Sequence, residues 1–192
     1  GLVGHKPSRG RVPNELVELE GFVCEHVVAR TVADSAAVLD LLAVADPLVP
    51  SSVPRPARPY AEVVQEAPER LRVGFTTTPP IDVAVDPACV RAVEEACRAL
   101  EAAGHEVFET TLDVPDTGAF MAAFTTIWNT GGAWSAVERP GDVEPLNALL
   151  RDLARATDSY AFVEGVRDTQ RLARRILANF GRDLDVLVTP TM

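Results

Sequence analysis

The stretch from residue 71 to residue 110 contains two short apolar runs separated by an amphipathic segment, and this order restricts the fold more than any other feature. Residues 71–76 (LRVGFT) and 105–110 (HEVFET) have the length and the valine and phenylalanine content of strands. Between them, Asp86 can cap a helix that begins at Pro87 and is stopped by Gly104. A strand, helix and strand of this length usually form a right-handed crossover between parallel strands. The segment therefore predicts an α/β fold.

The rest of the chain adds helices and one further strand. Thr31 can cap a helix that continues to Ala45, and Asp158 can cap another that is ended by Gly181. Further predicted elements are helices over residues 117–137 and 145–156 and a buried strand over 184–189. No internal repeat is visible, so the sequence predicts a single domain over residues 1–192, with a mixed sheet flanked by helices.

Two of these helices have apolar residues at helical spacing, which predicts the faces that they bury. The predicted inner residues are Val90, Val93, Ala96, Cys97 and Leu100 in the helix after Asp86, and Phe162, Val166, Leu172 and Ile176 in the helix after Asp158.

Prolines interrupt regular structure over residues 46–60. They are Pro47, Pro50, Pro54, Pro56 and Pro59. Proline has no backbone N–H and disfavours a helical conformation in the preceding residue, so neither helix nor sheet is expected to cross this segment. Leu48, Val49, Val53 and Tyr60 remain available to pack. We predict a semi-rigid surface crossing and not a disordered linker.

Charge and cysteine content exclude several classes of partner. The net charge of −10 at pH 7 argues against nucleic acid, because no basic stripe is present to replace phosphate counterions. No run of 18 apolar residues occurs, so no membrane span is expected. Cys24, Cys89 and Cys97 lack the spacing of metal ligands or of a disulfide framework. Without a recognisable leader, these features predict a cytoplasmic protein that binds no metal and no membrane.

The first eleven residues, GLVGHKPSRGR, combine a glycine-flanked apolar pair with a cationic turn. Pro7 and Gly10 end the extended run and bring three cations into that turn. The run resembles the segment of the amidase signature family that follows the loop carrying the nucleophilic serine. It differs from the family pattern at His5, where leucine is usual, and at Ser8, where threonine is usual.

Further segments resemble the same family in the same order. They are residues 31–36 (TVADSA), 71–73 (LRV), 103–107 (AGHEV) and 185–191 (DVLVTPT). The family usually has a Gly-Pro before the first of these helices, and this chain does not. That variant, with the region around residues 58–60, is similar to the branch that includes 6-aminohexanoate cyclic-dimer hydrolase. The resemblance implies an amidase-signature fold, of which this chain is the C-terminal-side portion.

The resemblance implies a hydrolase that cleaves a carboxamide C–N bond through a serine acyl-enzyme, with a lysine acting through a bridging serine. These catalytic residues are expected upstream of Gly1, so none is predicted within this chain, which alone is expected to be inactive. No metal or organic cofactor is required. The expected partners are a small-molecule amide substrate and the remainder of the amidase polypeptide, and a homodimer is a further expectation.

Groups inside the chain that could perform acid–base chemistry are scattered. Lys6 is the only lysine, and it precedes Pro7 in the predicted turn without a suitably placed serine. His5, His26 and His105 belong to different predicted elements. His26 is interpreted either as a polar pair with the neighbouring Glu25 or as a catalytic group, and the first interpretation is favoured. No His-x-x-x-His or Cys-x-x-Cys spacing indicates a metal site.

The segment from Thr125 to Trp134 is the predicted substrate region. Its threonines and glycines have poor helical propensity and are expected to interrupt the helix over residues 117–137. Trp128 and Trp134 supply broad apolar surfaces, and Asn129 can donate to and accept from an amide. The resemblance implies that Thr125, Trp128 and Asn129 line the acyl-binding pocket. The alternative is an ordinary core helix with packed tryptophans.

Thr189 is the fourth predicted substrate-binding residue. It belongs to a Thr-Pro-Thr sequence that resembles a turn at the rim of the family's pocket. A plain strand end is the alternative for this position.

Two functions from other classes remain open. The parent protein could be the acyl-transfer subunit of an amidotransferase, in which ammonia replaces water as the acceptor. The 192 residues could also form a non-catalytic domain that only packs and binds.

Overall fold

A computed structural model of the chain describes residues 1–14, 18–111, 117–134 and 137–191. The strands are β1 (Val3–Gly4), β2 (Val28–Ala29), β3 (Arg72–Phe75), β4 (Glu106–Glu109) and β5 (Val186–Val188). The helices are α1 (Val32–Leu42), α2 (Tyr60–Val63), α3 (Pro87–Ala102), α4 (Thr117–Trp134), α5 (Pro145–Ala156) and α6 (Ser159–Leu177). Short 3₁₀ turns occupy Glu18–Gly21 and Pro140–Asp142. The predicted α/β class, with sheets flanked by helices, is confirmed.

A three-stranded parallel sheet has the order β4-β3-β5. Val73 of β3 pairs with Val107 of β4 and with Val186 of β5, and its side chain is completely buried. The strand–helix–strand unit predicted from residues 71–110 is therefore present with parallel strands. The observed strands β3, β4 and β5 are two, two and three residues shorter than the sequence pattern predicts, because the outermost residues of each run lie outside the paired register.

Helix α3 forms where the sequence predicts it because its signals are local. The Asp86 carboxylate accepts a hydrogen bond from the Ala88 N–H at 2.7 Å, and Pro87 occupies the first turn. Gly104 adopts a φ of +94°, which ends the helix. Val93 and Cys97 are buried, and the other three predicted inner residues are half-buried.

The chain forms two compact units. One contains residues 1–67 and 130–151, and the other contains residues 68–129 and 152–192. The core of the first unit is built from α1 and the segment that follows it: Ala36, Leu39, Ala43 and Val49. The core of the second unit is built around β3, α3, α4 and the loop before β5: Val73, Val93, Cys97, Ala123, Ile127 and Leu184. One domain over residues 1–192 stays a prediction.

In the first unit, the turn near the start of the chain holds the proline-rich segment in place. Gly10 has a φ of +79° and its carbonyl accepts from the Val53 N–H at 3.2 Å. The Arg11 guanidinium donates to the Pro54 carbonyl at 2.7 Å. These bonds hold Val53 and Pro54, which lie outside regular structure as the prolines predict.

Helix α1 ends at Leu42, three residues earlier than predicted. Thr31 caps its start as expected, its side chain accepting from the Asp34 N–H. At the other end Ala43 leaves the helical region, with ψ at 59°. Asp40 accepts from the N–H groups of Tyr60 and Ala61 at 2.7 and 2.9 Å, and so caps α2. The helical periodicity of the sequence could not predict this contact, because its partners are far apart in the chain.

In the second unit, α6 begins at the predicted cap, where Asp158 accepts from the Ala161 N–H at 2.7 Å. Its most buried residues are Gly165 and Thr169, and not the four apolar residues that the sequence pattern predicts, which are half-buried. The reason is close helix packing. A Cβ placed on Gly165 would lie 3.3 Å from the Thr126 methyl of α4 and 3.4 Å from the Ala123 carbonyl oxygen.

Candidate functional site

Helix α4 carries three of the four predicted substrate-binding residues, and it is continuous from Thr117 to Trp134. The predicted interruption at its middle is therefore wrong. The Thr125 hydroxyl donates to the Met121 carbonyl at 2.7 Å, and the Thr126 hydroxyl donates to the Ala122 carbonyl at 2.8 Å. Bonding back to the preceding turn satisfies both hydroxyls within the helix, so these residues do not compete with it.

One face of α4 is buried in the second unit. Ala123 and Ile127 are four residues apart and are almost completely inaccessible. Gly165 of α6 approaches this side of the helix at Ala123 and Thr126. This packing compensates for the low helical propensity of the threonines and glycines, because tertiary contacts routinely override propensity.

Thr125, Trp128 and Asn129 lie on another face of the same helix. Positions i, i+3 and i+4 are neighbours on a helix surface, and these three are turned away from Ala123 and Ile127. The Trp128 side chain is 50% exposed, whereas Thr125 and Asn129 are half-buried. The structure therefore brings these three residues together on one surface.

Aromatic rings continue along this surface at a spacing of four residues. Phe124 stacks on Trp128 with ring centroids 5.5 Å apart, and Phe120 stacks on Phe124 at 6.2 Å. Such stacking holds the indole in one orientation and presents a flat apolar surface. Phe120 and Phe124 were not predicted as residues of this surface, although their spacing from Trp128 is a usable signal. The side chain of Trp134, the second predicted apolar wall, lies outside the part that the structure describes.

Thr189 follows β5 and is exposed. The strand before it is anchored where the Thr76 N–H donates to the Val188 carbonyl at 3.1 Å. Within the described residues, no hydrogen bond or ring contact joins Thr189 to the α4 surface.

His26 pairs with a serine, Ser35, that was not predicted as its partner. His26 Nε2 and Ser35 Oγ are 2.9 Å apart, and Ser35 is 3% exposed on the second turn of α1. The predicted pair with Glu25 is not the observed contact. His26 Nδ1 is buried and has no hydrogen-bond partner among the described residues, so no carboxylate orients the ring. A buried serine and an imidazole whose Nδ1 has no described partner do not form a nucleophile–base pair open to substrate.

Lys6 and the cysteines also lack the arrangement of a catalytic centre. Lys6 Nζ lies 3.5 Å from Cys24 Sγ at an exposed position. Cys97 is buried on α3, and burial raises the pKa of its thiol. Among the described residues, no cluster of three His, Cys, Asp or Glu side chains could hold a metal ion. No helix in the described part of the chain is long and apolar enough to cross a membrane.

Besides the α/β architecture and the α4 surface, the sequence itself matches a protein family over its full length. Residues 1–192 match the family model described as Amidase. The chain belongs to the amidase family.

The individual relatives agree with the predicted branch. The 6-aminohexanoate-cyclic-dimer hydrolase of Paenarthrobacter ureafaciens is 32% identical over 208 residues, covering 100% of this chain and 42% of the relative. An amidase of Pseudomonas putida is 30% identical over 195 residues, covering 97% of this chain and 41% of the relative. The solved structure of 6-aminohexanoate cyclic dimer hydrolase complexed with substrate aligns at 29% identity and a TM-score of 0.84, over 97% of this chain and 41% of that one.

The predicted resemblance to amidases, and to the cyclic-dimer hydrolase branch among them, is confirmed by these matches. The chain spans 42% of the length of the first of these relatives.

Proposed function

We propose that the intact protein hydrolyses the C–N bond of a carboxamide through a serine acyl-enzyme. The observation that carries the proposal is the match of all 192 residues to the amidase family, together with 32% identity to a 6-aminohexanoate-cyclic-dimer hydrolase. Since the chain covers 42% of that relative, the serine nucleophile and its proton relay are assigned to the remaining part of the polypeptide. In this scheme the reacting groups belong to that remaining part.

In the proposed reaction, the serine oxygen attacks the amide carbonyl and its proton passes through a bridging serine to a neutral lysine. Backbone N–H groups hold the oxyanion while the C–N bond breaks and the amine leaves with a proton. Water then attacks the acyl-enzyme, which releases the acid and restores the serine hydroxyl. No metal ion or organic cofactor takes part in this scheme.

We assign to this chain one wall of the acyl-binding pocket, formed by Thr125, Trp128 and Asn129 on α4. The Trp128 indole, stacked on Phe124 at 5.5 Å, offers a flat surface to an aliphatic acyl chain. The Asn129 side chain has no hydrogen-bond partner within the described residues, which leaves its donor and acceptor available to a substrate amide.

Thr125 and Thr189 have smaller proposed roles. The Thr125 hydroxyl proton is engaged by the Met121 carbonyl, so this residue offers its methyl group and an oxygen acceptor. Thr189 is exposed directly after β5 and is proposed as a residue of the pocket rim.

The decisive experiment measures amide hydrolysis by the intact enzyme and by its Asn129→Ala variant. We expect release of the acid product from 6-aminohexanoate cyclic dimer or from short aliphatic amides. In the variant, loss of one amide hydrogen bond is expected to lower kcat/KM by about 10-fold. Its unfolding transition is expected to match that of the parent enzyme.

Asn147→Ala is the matched control, since Asn147 is an exposed asparagine on α5 whose only described contact is with Glu144. It is expected to leave the kinetics unchanged. Absence of hydrolysis of every amide tested would refute the proposed activity. Unchanged kinetics in Asn129→Ala, with activity present in the parent enzyme, would remove Asn129 from the pocket and leave the activity standing.

The proposal also includes a cytoplasmic location and association of the intact protein into a homodimer. All three cysteines carry free thiols, which is typical of proteins kept in a reducing compartment. Cell fractionation tests the location, and light scattering of the purified intact protein tests the oligomeric state.

A further inference from the structure

Three consecutive residues before β2 have left-handed backbone conformations. The φ angles are 46° at Leu19, 54° at Glu20 and 82° at Gly21. Glycine tolerates such angles, but leucine and glutamate do so only when surrounding contacts hold them. Strain of this kind is concentrated at functional positions, which makes the turn a candidate for a role beyond packing.

Two hydrogen bonds hold the backbone of the turn. Arg9 Nε donates to the Gly21 carbonyl at 2.9 Å, and the Phe22 N–H donates to the Leu19 carbonyl at 3.1 Å. A Cβ at Gly21 would lie 2.7 Å from Arg9 Nε, so the arginine side chain closes the space over this glycine. Arg9 therefore helps to hold the left-handed backbone of residues 19–21 in place.

The Leu19 side chain of this turn packs against α4. A Cβ at Gly131 would lie 3.2 Å from Leu19 Cδ2 and 3.6 Å from Cδ1, so the leucine occupies the space that a larger residue would need. Gly131 follows Asn129 by two residues and Trp128 by three in the same helix. The end of α4 thus carries both the packed glycine and the proposed substrate contacts.

We propose that Leu19 is a positioning residue for substrate binding, acting through Gly131 on the last turns of α4. This inference rests on the proposed function of α4. The segment Thr130–Gly131–Gly132 has poor intrinsic helical propensity, so the end of the helix needs an external contact to stay ordered. Leu19 supplies that contact, and the left-handed turn fixes Leu19 in place. Loosening the contact displaces Asn129 and Trp128 without touching the reacting atoms.

The test uses steady-state kinetics of the intact enzyme carrying Leu19→Ala. We expect KM for the amide substrate to rise about fivefold while kcat stays within about twofold, because ground-state and transition-state binding are weakened equally. Leu19→Met, which keeps the volume and the apolar contact, is expected to retain the parent KM. Leu39→Ala is the control: it removes a buried leucine from α1, outside the turn and outside α4.

A second readout follows α4 directly by hydrogen exchange of the peptide that covers residues 125–134. We expect faster exchange in Leu19→Ala and unchanged exchange in Leu39→Ala. A double-mutant cycle adds Gly131→Ala, whose methyl group meets Leu19 in the parent enzyme but enters the vacated space in Leu19→Ala. The two substitutions are therefore expected to be less harmful together than the sum of their single effects.

The outcomes separate this inference from the proposed function. A parent enzyme without amide hydrolysis refutes the proposed function itself. With an active parent, an unchanged KM in Leu19→Ala overturns the positioning role even if exchange accelerates. An equal rise of KM in Leu39→Ala also overturns it, because the effect would then reflect general loss of stability. A selective rise in Leu19→Ala, with rescue by Leu19→Met, supports it.

Discussion

Arg72 and Asp185 are joined by both their side chains and their backbones, although 113 residues separate them. Arg72 Nη2 lies 2.8 Å from Asp185 Oδ1, and the Arg72 N–H donates to Oδ2 at 2.9 Å. The Asp185 N–H in turn donates to the Arg72 carbonyl at 2.9 Å. The guanidinium also bonds the Arg182 carbonyl. These contacts join the parallel strands β3 and β5 at the end where both strands begin.

Asp185→Asn is expected to change how the stability of the intact protein depends on pH. Hydrogen bonds from the Arg72 side chain, and then from its backbone N–H, hold the pKa of the Asp185 carboxyl below its ordinary value. Stability from a lowered folded-state pKa is present above the unfolded-state pKa of about 4 and is lost as the pH falls through the folded-state pKa. Urea midpoints of parent and variant should therefore differ at neutral pH and converge in acid.

Asp152→Asn is the control for this prediction. Asp152 Oδ1 lies 3.8 Å from Arg155 Nη1 on the exposed surface of α5. A single ion pair at such a position has little effect on stability. Its urea midpoint should follow the parent at every pH. If the midpoints of Asp185→Asn and of the parent stay equally far apart from neutral pH into acid, the stabilising charge of Asp185 is refuted.

Gly10→Ala is expected to lower the free energy of unfolding by about 3 kcal/mol, because strain and overpacking act together. Gly10 has a φ of +79°, and a Cβ there would lie 1.8 Å from the Ser51 carbonyl oxygen. A backbone atom cannot move aside as a flexible side chain can. Chemical denaturation of the intact protein measures the loss.

Substitutions at two other glycines separate the contribution of backbone strain from that of the steric clash. Gly104 has a φ of +94° with open space around it, so Gly104→Ala adds strain alone and is expected to cost about 1 kcal/mol. Gly141 has neither a positive φ nor a close neighbour, and Gly141→Ala should stay within about 0.5 kcal/mol of the parent. Equal losses at Gly10 and Gly104 would show that the Ser51 clash contributes nothing.

The 192-residue chain by itself is expected to release no acid from any amide that the intact enzyme hydrolyses. The proposed nucleophile and its proton relay belong to the part of the polypeptide outside these residues, and the described residues assemble no reachable serine with an oriented base. The assay compares the chain with the intact enzyme at equal concentration. Turnover by the chain would overturn this placement of the catalytic groups.

Trp128→Ala in the intact enzyme is expected to raise KM more for amides with long acyl chains than for acetamide. The substitution removes the flat surface that stacks on Phe124, and a longer chain loses more apolar contact. Tyr160→Ala is the control, because Tyr160 is an exposed aromatic residue at the start of α6. The same rise of KM for short and long amides would argue against an acyl-binding surface at Trp128.

Local signals in the sequence determined the elements whose caps and buried faces lie within a few residues. Asp86, Pro87 and Gly104 fix α3, and Asp158 fixes the start of α6. The parallel pairing of β3 with β4 followed from the length of the connecting helix. The family resemblance also came from the sequence, since its motifs occur in order along the chain and the whole chain matches.

Tertiary structure decided what depends on residues far apart in the chain. The continuity of α4 was mispredicted because its low propensity is offset by packing against Gly165, 39 to 42 residues further on. The pairing of His26 with Ser35 and the left-handed conformation of Leu19 likewise depend on contacts outside their own segments. Helical propensity and the spacing of apolar residues reflect only interactions within one segment of the chain. The contacts that outweigh them form only when the folded chain brings distant side chains together.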